Sequence, residues 1–587
     1  MQKKMNRFAE SGILWGVGRN LTMQSIPKIV LITLLAALLS VATVPVVSAQ
    51  DELPAKIEEI LAQVEGDVRL QVAGEHLFMP GELQRFYGER DYRPLWSTDD
   101  PRGREQIRVL LHYLSWSTSE GLCEVDYHLP FFRTLLSRFT IAENDYRFPY
   151  LRWSGWYDLL LTDALFHYAM HLLEGRVPSE AIQDGWTLRK QKVDLSRVVA
   201  YTFDRDELEK VLHDIQPSHP GYLKLQKALS RYREIEAFGG WARIPDGETL
   251  RPGMFDRRIS LLRTRLLLTD DLETLPPLDS LRMESEDVEA VKHFQRRHGL
   301  YPDGVVGERT LAALNVPVSQ RVRQIELNME RWRWLPKSLG RNYLLVNIAD
   351  FRANVVEEEE TVLSLPVVVG NAYRKTPVFS AELEYVEFAP YWLVPPTILE
   401  EDKLPVIRSD PGYLQRNHYE IVSWDQQQDI DPQSIDWSTV DGESFPGVLR
   451  QRPGPWNPLG RVKFIFPNDY AIYLHDTNRR DLFRQRNRKY SSGCIRLQRP
   501  DKLANYLLCD SGWNEKLVDK AMSGSVSQQV YLEQPLPVHV LYWTSWIDDD
   551  GLVNFREDVY NRDQDLQQAL DQLDAGCIIH KPNLARR

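Results

Sequence analysis

The sequence predicts a multidomain α+β protein, helical in its first half and mainly β in its second. Three observations carry that reading. The chain has 587 residues, enough for about three or four domains. Between residues 51 and 317 apolar positions recur at helical spacing, whereas from residue 342 they alternate or form short blocks bounded by turn residues. Hydrophobic residues make up 43% of the chain and tryptophan occurs sixteen times, which is material for several packed cores and excludes a disordered chain.

Residues 1–49 read as a targeting segment. Lys3, Lys4, Arg7, Arg19 and Lys28 against Glu10 give it a net +4, leaving −16 for the rest of a chain whose formal charge is −12. That acidic balance argues against nucleic acid as a partner. After Lys28 comes the apolar run IVLITLLAALLSVATVPVV, in which Pro45 would break a helix just before the small-residue site Val47-Ser48-Ala49. A basic region, an apolar core and a small-residue end are the parts of an export signal. The run is also about long enough to span a bilayer, so a cleaved signal peptide and an uncleaved membrane anchor both fit. Either way the remainder is expected outside the cytoplasm.

Residues 51–250 form the first expected domain, mostly helical. Leu83, Phe86, Tyr87, Tyr92, Leu95 and Trp96 cluster around a polar turn, and helical spacing recurs over 107–114 and 157–173. His167 and His171 lie one turn apart there; without a third ligand their expected role is structural. Residues 251–317 form a second, smaller module. A helix over 257–268 turns Ile259, Leu262 and Leu266 inward, and a second carries Val291 and Phe294. Gly299 ends that helix, Asp303-Gly304 makes a turn, and Gly307 precedes a third helix with Leu311 and Leu314. These periodic residues are expected to be core. A connecting helix rich in Arg and Trp falls within 318–341.

The β region is expected over 342–535. The acidic run at 357–360 marks a solvated hairpin tip, and 391–398 reads as a strand ended by Pro395-Pro396. Residues 399–455 interrupt the pattern with Pro, Gly, Asp, Gln and Trp, and read as a long, polar, mobile loop of the kind that is usually functional. Residues 536–587 read as a terminal hairpin around Asp550-Gly551 and a tail. The acids at 548–550 lack the twelve-residue spacing of a calcium loop.

Four cysteines, Cys123, Cys494, Cys509 and Cys577, are too few for a disulfide framework. Metal binding is not expected, since neither H-E-x-x-H nor paired C-x-x-C occurs, and His293 and His298 face different ways on one helix. The chemistry concentrates instead at 470–500. His475 and Cys494 stand nineteen positions apart, each beside an apolar run. A thiol is nucleophilic as thiolate, and an imidazole can take its proton. Gly493 removes a Cβ where a substrate must approach the backbone, and N–H groups around Gly493 and Cys494 could face a developing oxyanion. Arg496 alternates with Cys494, so both are expected on one face, where a guanidinium suits a substrate carboxylate.

The strings H-D-T at 475–477 and S-S-G-C-I-R-L at 491–497 resemble the signature of L,D-transpeptidases with the YkuD-type catalytic domain, usually H-G-T followed by S-H-G-C-[IV]-R. Asp476 stands where glycine is usual and Ser492 where histidine is usual; both departures resemble the large YcbB-type branch. They leave open what orients the imidazole, and a backbone carbonyl just after His475 is preferred to the Asp476 carboxylate. The sequence over 291–315 resembles the small three-helix peptidoglycan-binding domain, residues 51–250 resemble the branch's helical scaffold domain, and Gly370, Arg374, Thr376 and Pro377 resemble a recurrent segment of the catalytic domain.

What the resemblance implies is a periplasmic enzyme with a helical scaffold, a three-helix peptidoglycan-binding domain and a mainly β catalytic domain capped by 399–455. Cys494 would be the nucleophile and His475 the general base and acid. Gly493, Ser492 and Arg496 would contribute to the oxyanion and substrate site, with Tyr473 lining it and Arg488 assisting anion binding. The partners implied are peptidoglycan stem peptides and glycan, with other cell-wall synthesis proteins; the reaction needs no cofactor, and carbapenems would acylate the thiol. Hydrolysis by an L,D-carboxypeptidase or amidase, and a non-catalytic wall-binding scaffold, are the alternatives.

Overall fold

The computed structural model describes residues 53–64, 70–97, 101–137, 155–182, 193–274 and 281–578. The leader expected at 1–49 lies outside the described residues, as does the side chain of Cys577. Among the described residues Cys123, Cys494 and Cys509 are free thiols, and no helix is long and apolar enough to cross a membrane.

The helical N-terminal region is built on one helix, Gly155–Glu174, buried on nearly every side. Leu159, Leu160, Leu161, Leu165 and Phe166 spread round its circumference because other helices surround it. Two carboxylates on this apolar rod are buried as well, and each organises backbone donors. Asp158 accepts from the N–H groups of Leu95 and Trp96, both at 2.9 Å; Asp163 accepts from Phe78 and Met79 and lies 2.8 Å from His128 Nε2. The Leu95–Trp96 end of the aromatic cluster legible in the sequence is thus pinned by an acid 62 and 63 residues away, and the segment before the cluster by one 84 and 85 residues away, as buried carboxylates require partners. His171 Nδ1 lies 2.8 Å from the Tyr127 hydroxyl and His167 Nδ1 2.9 Å from the Asp126 carbonyl.

The small module packs helices Arg258–Leu268, Ser285–Arg297 and Glu308–Leu314 around Ile259, Leu262, Leu266, Val291, Phe294, Leu311 and Leu314. His293 turns to Asp271 and His298 to its own helix, at the Phe294 carbonyl. The module is docked on the C-terminal half: Arg297 donates to the Val553 carbonyl at 2.9 Å, and Arg486 to the Gly299 carbonyl at 3.1 Å. Helix Val318–Arg333 then leads into the sheet, with Arg331 paired to Asp563 and Arg333 to Glu330.

The main sheet uses β1 (Asn342–Asn347), β2 (Arg352–Glu357), β3 (Glu360–Gly370) and β4 (Phe379–Phe388). A second, four-stranded sheet uses β5 (Trp392–Leu393), β6 (Tyr419–Val422), β7 (Asp429–Ile430) and β8 (Val448–Gln451). The chain returns to the main sheet with β9 (Val462–Ile465), β10 (Leu474–His475), β11 (Lys489–Ser491), β12 (Ile495–Leu497) and β13 (Gln528–Leu541). A hairpin of β14 (Ser545–Ile547) and β15 (Val553–Phe555) follows. The main order is β11-β3-β12-β10-β9-β4-β13-β1-β2, and pairing of β2 with β3 closes the ring. Helices Pro500–Leu508, Glu515–Met522 and Arg562–Ile578 share the sheet's core through Leu503, Val518 and Leu566.

Two expectations need correction. Residues 399–455 are not a loop: with β5 and Leu459 they form a subdomain with its own sheet and a core of Trp392, Leu404, Ile407, Leu414, Ile421, Trp437, Phe445 and Leu449. Its strands are only two to four residues long, too short for a visible period, and are set among turn residues. The boundary expected at 535 falls inside β13, which pairs with β4 along most of its length and continues in parallel with β1. Pro535 lies within the register shift between Tyr531 and Leu536, where a ladder tolerates proline, and Pro537 pairs with Glu382 just after it.

Candidate active site

β10 and β12 run parallel, with Leu474 opposite Ile495 and His475 opposite Arg496. The Ile495 N–H donates to the Tyr473 carbonyl at 3.1 Å, which sets Tyr473 against Cys494 one step earlier on each strand. Cys494 therefore enters β12 directly from the turn at 491–493. Gly493 has φ +116, and a Cβ there would lie 3.1 Å from Ile472 Cδ1, so both the backbone and the space favour glycine.

Three side chains hold that turn. Ser491 Oγ donates to the Cys494 carbonyl at 2.6 Å and accepts the Gly493 N–H at 3.2 Å. Thr376 Oγ1 donates to the Gly493 carbonyl at 2.7 Å and accepts the Gly370 N–H at 2.9 Å. Tyr560, far along the chain, donates its hydroxyl to the Gly370 carbonyl. The Gly493 N–H is thereby committed to Ser491, whereas the Cys494 N–H has no acceptor among the described residues. Of the two amides expected near an oxyanion, the structure leaves that of Cys494 available.

The Cys494 thiol is half-buried, with Sγ 3.8 Å from the Ala471 carbonyl. Burial pushes it up from its ordinary value; the backbone N–H and hydroxyl of Tyr473, and then Arg496, act in the opposite direction. Tyr473 thus does more than line the site, since both its donors favour the thiolate. Its ring meets that of His475 edge-on at 5.7 Å. His475 is buried, and burial together with the Arg496 charge pushes its pKa down to about 3. Carbonyls of Asp476 and Leu459 pull it back upward, but neither makes a well-formed hydrogen bond to Nδ1, which has no partner. The Asp476 carboxylate is turned elsewhere, to the Arg461 N–H at 2.9 Å and to Arg480 at 2.7 Å. Among the described residues no hydrogen bond joins the imidazole to the thiol.

Arg496 is half-buried, makes no ion pair among the described residues, and has a buried Nε without a partner. Its free guanidinium can receive an anion beside the thiol. Ser492 is exposed and accepts a bond from Arg374 at 3.2 Å. Arg488 is committed elsewhere. It stacks on Phe351 and spends its donors on the carbonyls of Val367 and Phe351, both at 3.0 Å, and of Gln485. It was expected among anion binders because it precedes the catalytic turn; the strand geometry makes it a clamp between β3 and the segment before β11.

Sequence reasoning missed Ser491, Thr376 and Tyr560 as supports of the turn, and missed Arg374's contacts. Arg374 sits between β3 and β4, and besides Ser492 it pairs with Glu401 and Asp402 of the inserted subdomain. Only the recurrent segment Gly370–Pro377 hinted at Thr376 and Arg374.

Fold and site together place a thiol and an imidazole on neighbouring strands of a closed β-scaffold. Residues 341–530 match the family described as the L,D-transpeptidase catalytic domain, 285–314 that described as "Putative peptidoglycan binding domain", and 81–229 the scaffold domain. The chain accordingly carries a scaffold domain, a peptidoglycan-binding domain and an L,D-transpeptidase catalytic domain of YkuD type, in the YcbB-like arrangement. A Haemophilus influenzae protein named "Putative L,D-transpeptidase" is 34% identical over 257 residues, covering 43% of this chain and 51% of that protein. The chain thus matches about half the length of this curated relative. Among solved structures, the L,D-transpeptidase (Yku) from Stackebrandtia nassauensis is 15% identical, covering 51% of this chain and 97% of its own, with a TM-score of 0.21. An L,D-transpeptidase from Xylanimonas cellulosilytica is 14% identical over 51% and 99%, with a TM-score of 0.16.

Proposed function

We propose that the protein is an exported L,D-transpeptidase that forms 3→3 cross-links in peptidoglycan, working in the periplasm on stem peptides and their glycan. The observation that carries this reading is the placement of Cys494 on the Gly493 turn, with His475 on the adjacent parallel strand, Tyr473 just before that strand and Arg496 unpaired beside them. Cys494 Sγ attacks the carbonyl of the third residue of a donor tetrapeptide. The thiol proton passes to His475 and then to the leaving amine, so that D-alanine departs and a thioester remains. The side-chain amine of a second stem attacks that thioester, a new amide forms, and the thiol is restored. Tyr473 supports the thiolate, the Cys494 N–H faces the developing oxyanion, and Arg496 receives a stem carboxylate.

Hydrolysis shares the same thioester, with water in place of the amine. The folded insertion beside the thiol favours transfer, because covering a thioester keeps water from it until an acceptor enters. The test is incubation of protein lacking residues 1–49 with purified disaccharide-tetrapeptide, with products separated by mass. The expected product is a dimer that has lost one D-alanine, absent with Cys494→Ala. Tripeptide alone at high acceptor concentration would overturn transfer in favour of hydrolysis; dimer formation by Cys494→Ala would overturn the nucleophile.

A further inference from the structure

The inserted subdomain is fastened beside Cys494 in two unlike ways. On one flank its core packs against Tyr473, the residue whose donors face the sulfur. That contact is apolar and breaks only if the subdomain itself moves away. On the other flank the fastening is ionic. Arg374 pairs with Glu401 and with Asp402, at 3.4 Å to the latter, while the same guanidinium donates to Ser492 Oγ, two residues before the thiol. Arg374 is in turn tied to the catalytic turn through its own backbone. Its N–H donates to Asn371 Oδ1 at 2.8 Å, and the Asn371 N–H donates to the Ser491 carbonyl at 2.9 Å.

The strength of the ionic flank decides its role. The side chains of Glu401 and Asp402 are 58% and 51% exposed, and pairs with such exposed partners contribute little to stability. Thermal motion opens a contact of that size. Both acids also lie in a single π-helical stretch, Leu399–Lys403, between the short α-helical pieces Pro396–Ile398 and Leu404–Ser409. Single π turns of this kind interrupt the regular hydrogen-bond ladder and are frequent at functional sites. One flank is therefore a firm apolar contact and the other a weak ionic catch.

We propose that Arg374 is a positioning residue for the reaction: it latches the inserted subdomain over the Cys494 turn through Glu401 and Asp402, and through Ser492 it couples that closure to the turn carrying the thiol. This goes beyond the transpeptidase reading to how substrate enters, and it rests on Cys494 being the nucleophile there.

The latch is tested without any wall substrate, so its failure is separable from failure of the transpeptidase reading. Using the full chain, labelling of Cys494 by a bulky maleimide and by iodoacetamide is followed by peptide-resolved mass spectrometry, which separates Cys494 from Cys123, Cys509 and Cys577. Arg374→Gln is expected to speed bulky labelling about fivefold while iodoacetamide labelling changes less than twofold. Raising salt from 0.05 to 1 M should do the same to the wild-type protein and nothing further to the variant. The double variant Glu401→Gln/Asp402→Asn, changed only at exposed positions, should copy Arg374→Gln, and Arg374→Glu with Glu401→Arg should restore slow, salt-sensitive labelling. Equal bulky labelling of wild type and both latch variants would overturn the proposal. So would a variant in which both reagents accelerate alike, since that marks general loosening of the turn.

Discussion

Burial sets the resting protonation of both groups at the centre of the site. His475 is pushed down to about 3 and the Cys494 thiol is pushed up, so neither carries charge near neutral pH before substrate arrives. Carbapenem acylation of Cys494, followed by intact mass, is therefore expected to lack an acid limb near the ordinary imidazole value and to rise toward alkaline pH as thiolate forms. An acid limb centred near 6.5 would mean that His475 titrates as an exposed residue does. The same shift bears on stability. The unfolded imidazole takes its proton near 6.5 and the folded one only near 3, so the unfolded state binds more protons between those values. His475's contribution is complete above pH 6.5 and is lost as pH falls through that window, by roughly 2 kcal/mol at pH 5. The drop in thermal midpoint from pH 7 to pH 5 should be smaller in His475→Gln than in wild type.

At the scale of elements, the catalytic turn is a short irregular link whose shape comes from its neighbours. β11 and β12 both lean on β3, one in parallel and one antiparallel, and Arg488 ties the segment before β11 to the carbonyls of Val367 and Phe351. Arg488→Ala leaves those buried acceptors without their donor, which costs about 1–3 kcal/mol. The expected outcome is a lower thermal midpoint with KM for the donor stem unchanged. A large rise in KM at unchanged midpoint would restore Arg488 to the anion site.

At the scale of the whole molecule, the C-terminal tail supports the Gly493 turn of the candidate site. Tyr560 reaches Gly370, 190 residues away in sequence, and Arg562 donates to the Thr376 carbonyl at 3.1 Å. The same tail pairs with the connecting helix through Asp563 and Arg331, and with the scaffold region through Asp574 and Arg176. Tyr560→Phe removes one hydroxyl from this chain of contacts. It is expected to lower kcat several-fold with little change in KM, since the Thr376–Gly493 bond stays but its anchor loosens. Unchanged kcat, measured on disaccharide-tetrapeptide, would show that the turn holds its shape without the tail.

Much of this molecule was legible in sequence because it depends on local order. The helices of the small module announced themselves by spacing, as did Gly155–Glu174 within 157–173, and Gly493, Cys494 and Arg496 were marked by a string of adjacent residues. Tertiary structure alone decided the rest. The inserted subdomain has strands too short to show a period, Arg488 and Arg374 exchanged their expected importance according to which groups the strands bring near, and Thr376 meets Gly493 across 117 positions. Periodicity and motif report what a residue does with its near neighbours in sequence. Which guanidinium is spent on carbonyls and which stays free depends on long-range pairing, and no local pattern encodes that.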